Sequence, residues 1–173
     1  MLADVEQARL YNLWQKLQRQ SLANDSLGLL TDIICCPGGD FCALANAKSI
    51  PIAEAIQRRF NDHSELLDIN EITVNISGCM NACGHHHVGN IGILGVDKKG
   101  AEFYQVSLGG SSQNDASLTK VLGPAFAEEE IPSVIEKIID VYKNNRVDHE
   151  VFLDTYRRIG LEPFKDKIYA QAD

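Results

Sequence analysis

Residues 71–89, EITVNISGCMNACGHHHVG, bring together a strand pattern and a cluster of metal-binding side chains. Ile72, Val74 and Ile76 alternate with polar neighbours at period two, which predicts a half-buried strand from Glu71 to Ser77. That strand runs into a turn carrying Cys79 and Cys83 as C-x3-C, with His85, His86 and His87 just behind. Thiols beside glycine at a strand end suggest a metal site, held either by the cysteines or by the histidines. Three consecutive side chains cannot converge on one ion without backbone distortion, and no other histidine has matched spacing. The histidines are therefore expected to be structural or to line the edge of a cofactor, and the cysteines to hold the metal.

The same arrangement occurs upstream. Thr31–Cys35 (TDIIC) predicts a short strand that stops at Pro37-Gly38-Gly39, and Cys36 and Cys42 follow as C-x5-C. All five cysteines fall in these two groups. Four thiolates from two loops suit a cubane iron–sulfur cluster, which is larger than one ion, and nearby glycines let backbone N–H groups approach its sulfides. A zinc knuckle usually takes C-x2-C or C-x4-C, which x5 together with x3 fits poorly. A zinc-stapled interaction domain and simple packing of small apolar thiols stay open as alternatives. Adjacent residues on a strand point to opposite sides, so Cys35 and Cys36 cannot both face one cluster, and Cys35 is expected to be a packed thiol.

Around these loops the chain predicts a small α+β domain with a mostly antiparallel sheet flanked by helices. Leu10, Leu13, Trp14 and Leu17 recur at helical spacing between Asp4 and Gln20, and Asp4 with Gln7 suggests a capping box. A polar stretch, Ala23 to Ser26, follows. A second helix is expected from about Phe41 to Phe60, interrupted at Pro51. Ile91–Val96 and Phe103–Leu108 read as a hairpin closed by Asp97-Lys98-Lys99-Gly100. Leu108–Gly123 reads as a long surface loop. Ile131–Arg146 is the clearest helix, with Glu128-Glu129-Glu130 favouring its N-terminal end. The tail suggests two short helices broken at Gly160 and Pro163.

Composition limits the function classes. The 173 residues suffice for one domain with a core, and no apolar run is long enough for a membrane span. A net charge of −8 makes nucleic acid and anionic membranes poor partners. The N-terminus lacks the apolar region of a secretory signal, and an odd number of clustered cysteines does not read as a disulfide framework. A reducing cytoplasm is the expected location.

At residues 34–49, ICCPGGDFCALANAKS, and 74–95, VNISGCMNACGHHHVGNIGILG, the chain resembles the siroheme and iron–sulfur domain of the assimilatory sulfite and ferredoxin-type nitrite reductases, nearest to the sulfite reductase haemoproteins. The likeness runs from about Thr31 to Arg146, and the tail FLDTYRRIGLEPFK resembles the end of such proteins. It implies that Cys36, Cys42, Cys79 and Cys83 bind one [4Fe–4S] cluster, with Cys83 also the axial ligand of siroheme iron. Asn81 and His85 are implied as further cofactor-binding residues. A small iron–sulfur electron carrier without haem is the alternative.

Siroheme and its substrates are anions, yet Cys35 to Gly95 offers only Lys48, Arg58 and Arg59 as cations. The resemblance accounts for this: in the family two halves enclose the cofactor, and the preceding half supplies most of the basic grip. The expectation is therefore half of a two-half architecture. Residues 1–25 form a connection from a preceding half, 26–146 the cofactor domain and 147–173 a helical tail. Expected partners are that N-terminal half, a ferredoxin or flavoprotein donor, and sulfite or nitrite. No catalytic residue is assigned, and the chain by itself is expected to be inactive.

Overall fold

The computed structural model describes residues 3–20, 22–23 and 26–170. The expected polar stretch Ala23–Ser26, and the outer ends of the expected first and last segments, fall partly outside them. One sheet organises the chain: β1 (Ile34–Cys35), β2 (Val74–Ser77), β3 (Ile91–Lys98), β4 (Ala101–Leu108) and β5 (Lys120–Val121), in that spatial order. β1–β2 and β2–β3 are parallel, whereas β3–β4 and β4–β5 are antiparallel. The β3–β4 hairpin is the longest ladder, so most of the paired length is antiparallel, as expected for this α+β fold.

The parallel pairs position the site. Parallel neighbours need a crossover, and α2 (Ile50–Arg59) with α3 (His63–Ile69) supplies it between β1 and β2. Both cysteine groups therefore leave the sheet at the same edge, at the carboxyl ends of adjacent strands, where α/β sheets commonly bind ligands. β2 differs from the half-buried strand expected: Val74, Asn75, Ile76 and Ser77 are all buried. It lies between two other strands, and its polar side chains are engaged by the turn beyond it.

Pro51 does not interrupt a helix begun at Phe41. It sits in the first turn of α2, where a missing N–H costs nothing, and residues 41–49 stay non-helical. The sequence reading had no counterpart for α3, whose N-cap Asp62 accepts from the Ser64 N–H at 2.9 Å.

α1 (Leu10–Gln18) follows a short 3-10 turn, Gln7–Arg9, and has no buried residue. The expected Asp4–Gln7 capping box does not form; Glu6 precedes the turn and pairs with Arg9 at 2.8 Å. α4 (Ile131–Asn145) buries Ile131, Val134, Ile135, Ile138 and Tyr142 on one stripe, and also Ile139 and Val141. Its stripe is wide because α2 packs on it as well as α5 (Phe152–Ile159) and α6 (Glu162–Tyr169). Gly160, at φ +77°, separates α5 from α6, while Pro163 lies inside the first turn of α6.

The expected surface loop Leu108–Gly123 is partly interior. Gly109, Gly110 and Ser111 are buried, a Ser111–Ser117 bridge closes the exposed tip, and β5 follows. Among the described residues no helix is long and apolar enough to cross a membrane.

Candidate four-thiol site between two loops

Backbone hydrogen bonds dock the two cysteine loops before any side chain is considered. The Cys36 N–H donates to Ile76 O at 3.1 Å, extending the β1–β2 ladder. Gly78 O accepts from the Asn46 and Ala47 N–H groups at 2.8 and 3.1 Å, and the Gly78 N–H donates to Cys36 Sγ at 3.0 Å. The Cys42 N–H donates to Gly38 O at 2.9 Å, closing the Pro37–Cys42 turn. Gly78 has no room for a side chain: a Cβ there would lie 2.7 Å from Ala47 O and 2.9 Å from Ser49 Oγ. Tyr104, buried on β4, donates its hydroxyl to Lys48 O at 2.9 Å and so fastens the far end of the first loop to the sheet.

Between the loops lies a cavity of about 80 Å³ lined by Cys36, Cys42, Cys79 and Cys83, with Pro37, Leu44, Ala45, Gly78 and Asn81. Cys79 is buried, Cys36 and Cys42 are half-buried, and Cys83 is exposed. Cys36 Sγ also lies 3.4 Å from the buried Ser49 Oγ. Among the described residues no three His, Cys, Asp or Glu side chains surround a point that one metal ion could occupy.

Cys35 does not line the cavity. It packs against the core, its Sγ contacts Cys36 O at 3.2 Å, and burial, with the neighbouring Cys36 adding, pushes its thiol up to about 11.

The histidines follow a tight turn in which Ala82 and His85 take positive φ, 55° and 53°. His85 is exposed and does not line the cavity, whereas Asn81 does. Asn75 Nδ2 donates to His85 O at 3.1 Å and the Gly84 N–H donates to Ser77 Oγ at 3.2 Å, so the polar side chains of β2 hold the turn. Burial, followed by the neighbouring His87, lowers the His86 pKa below its ordinary value. His86 Nδ1 and Asn75 Oδ1 are buried side-chain atoms without a hydrogen-bond partner among the described residues.

Residues 28–173 match the family described as "Nitrite and sulphite reductase 4Fe-4S domain". The chain belongs to that family. It is 28% identical over 162 residues to "Sulfite reductase [ferredoxin] 2" of Mycolicibacterium paratuberculosis, covering 88% of this chain and 29% of the relative. It is likewise 28% identical to the "Sulfite reductase [NADPH] hemoprotein beta-component" of Bacillus velezensis, over 87% of this chain and 25% of that protein. The solved structure of the Mycobacterium tuberculosis NirA protein superposes with a TM-score of 0.77 at 26% identity, over 93% of this chain and 31% of that one. The chain thus spans less than a third of the length of these members of the nitrite and sulphite reductase 4Fe-4S domain family.

In this family member no residue lining the four-thiol cavity carries a positive charge. Arg58 pairs with Glu54 at 3.5 Å, Arg59 with Glu136, and Lys48 Nζ lies 3.8 Å from Asp40. Leu44, which lines the cavity, is 72% exposed, and Phe41 and Met80, the chain neighbours of Cys42 and Cys79, are 79% and 83% exposed.

The sequence reading expected glycine backbone beside the thiols, the role Gly78 takes, but missed Ser49 and Tyr104 as parts of this site. Asp62-His-Ser-Glu65 is an N-cap signature that signals α3 and with it the crossover. No comparable local signal marks Tyr104, whose role depends on a partner 56 positions away.

Proposed function

We propose that this chain is the cluster- and siroheme-ligating domain of a six-electron sulfite or nitrite reductase. In this reading Cys36, Cys42, Cys79 and Cys83 would hold a [4Fe–4S] cluster, and Cys83 would also help to hold siroheme. The observation that carries it is the convergence of four thiols, from two hydrogen-bonded loops, on one cavity at the carboxyl ends of parallel strands. Cys83 suits the shared position because it is the exposed thiol of the four. Asn81 and His85 are assigned to the cofactor side of the same turn.

The cluster and siroheme, when bound, supply the electron-transfer path and a thiolate-ligated iron at which an oxyanion is reduced. The chain's own residues bind and orient. Gly78 brings backbone close to the sulfur atoms, and Tyr104 and Ser49 fix the first loop. The cations needed for an anionic cofactor and substrate belong to a companion half in this proposal, and electrons come from a ferredoxin or flavoprotein. Without that half the chain is inactive. Five unpaired thiols fit a reducing, cytoplasmic setting.

Anaerobic reconstitution with iron and sulfide, followed by iron and sulfide counts and EPR after reduction, tests the reading. About four irons per chain are expected, lost when Cys36, Cys42, Cys79 or Cys83 is replaced by Ser. Zinc uptake without labile sulfide would overturn it. A cluster that forms while the protein, joined with its companion half, takes up no siroheme would leave an electron carrier instead.

A further inference from the structure

We infer that Arg157 is a positioning residue for the turn at Cys83–Gly89, acting through a clamp on the loop at residues 109–119. The inference rests on the proposed cofactor role of that turn.

The loop is a wedge between α5 and the turn. On the α5 side two consecutive residues grip it. The Tyr156 ring occupies the space beside Gly109, where a Cβ would lie 2.1 Å from the ring, and Gly109 has φ +90°. The Arg157 guanidinium donates to Asp115 Oδ2 at 2.5 Å, to Asp115 O at 3.1 Å and to Ser117 Oγ at 3.4 Å. Ser111 Oγ donates to Asp115 Oδ1 at 2.7 Å, and Ser117 Oγ donates to Gly109 O at 2.9 Å. The Ser111 hydroxyl and the Arg157 guanidinium together hold the Asp115 carboxyl below its ordinary pKa.

On the other side the same loop touches the turn directly. Gly110 lies so close that a Cβ would come within 2.5 Å of Gly89 O, and the Thr119 N–H donates to His87 O at 2.9 Å. The Gly109 N–H donates to Asn90 O at 2.9 Å, and Asn90 Nδ2 donates to Gly110 O at 3.0 Å. Arg157 and Asp115 are 38% and 48% exposed, so their pairing adds little to global stability. The value of the clamp lies in where it puts the loop, which supports the far side of a turn that Asn75 and Ser77 hold from β2.

Residue-resolved amide exchange on the metal-free chain separates this inference from the function proposed above. In Arg157→Ala, exchange is expected to rise about two- to fivefold, the range of an exposed ion pair. The rise is expected at Gly109 and Thr119 and also at His85 and Val88, whose amides donate within the turn at 2.7 and 3.0 Å. Ile93 and Val106 in the central strands should be unchanged. Arg157→Lys should restore part of the protection, because it keeps the charge but loses the fork. Faster exchange confined to 111–117 would overturn the inference. After reconstitution, Arg157→Ala should keep the wild-type iron count with an altered EPR line shape, and a wild-type spectrum would also overturn it. If the wild type takes up no iron, the cofactor reading fails, while exchange at His85 and Val88 still decides whether Arg157 positions the turn.

Discussion

The Gly78 amide donates to Cys36 Sγ at 3.0 Å, joining loops whose anchoring residues are 42 positions apart. The same residue's carbonyl accepts two amides from the segment beyond Cys42. One glycine therefore sets the spacing of both halves of the thiol site.

Gly78→Ala is expected to displace residues 46–49, because its Cβ would lie 2.7 Å from Ala47 O and 2.9 Å from Ser49 Oγ. Overpacking of this kind costs about 1–3 kcal/mol. Urea denaturation should show a lower midpoint with an unchanged slope, and iron uptake should fall. A variant as stable and as well loaded as the wild type would show that the close approach is dispensable.

Cys35 and Cys36 are adjacent, yet only Cys36 lines the cavity. Cys35→Ala should retain the wild-type iron count at a stability cost of about 1 kcal/mol, whereas Cys36→Ser should lose cluster iron. Equal iron loss in both variants would place Cys35 among the ligands.

Tyr104→Phe removes one donor to Lys48 O without changing the ring. A net loss of about 0.5–1.5 kcal/mol is expected for such a hydrogen bond. The loosening should appear as faster amide exchange at Gly39, which donates to Ala47 O at 3.0 Å. No change there would mean that the first loop is held by Gly78 alone.

Glu150 ties the start of α5 to its end. Arg158 first, then the Thr155 hydroxyl and the Val147 N–H, hold its carboxyl at about 2, below the ordinary 4.5. A carboxylate depressed in the folded state stabilises above its ordinary value, and that contribution is lost as pH falls through the folded one. Thermal unfolding of wild type and Glu150→Gln should therefore differ most above pH 4.5 and converge as the pH approaches about 2. Parallel curves across that window would rule the link out.

Legibility followed the range of the interactions. The β3–β4 hairpin and α4 were plain from period and turn residues, because local chemistry decides them. Pro51 was misread as a break since a proline within helical spacing marks either a kink or a first turn, and the strand-to-helix path that chose the first turn is not local. β2 looked half-buried because Asn75 and Ser77 are polar, but both spend that polarity on Gly84 and His85. The four thiols were visible as a spacing; Ser49, Gly78 and Tyr104 acquire their roles only when segments far apart in sequence meet.

The parallel pairing of β1 with β2 also constrains the order of events during folding. Cys36 and Cys79 share a cavity only after the α2–α3 crossover has formed and a long loop has closed, a slow, non-local step. Small zinc modules fold around their metal, with ligands from local turns acting as the nucleus. In the proposed reading the thiols are instead delivered by the sheet, and the loops that carry them are docked by backbone hydrogen bonds of their own. If the proposed reading holds, iron and sulfide enter late, into a finished scaffold, and protein made under iron starvation should be folded without its cluster, which circular dichroism and amide exchange on that protein would check.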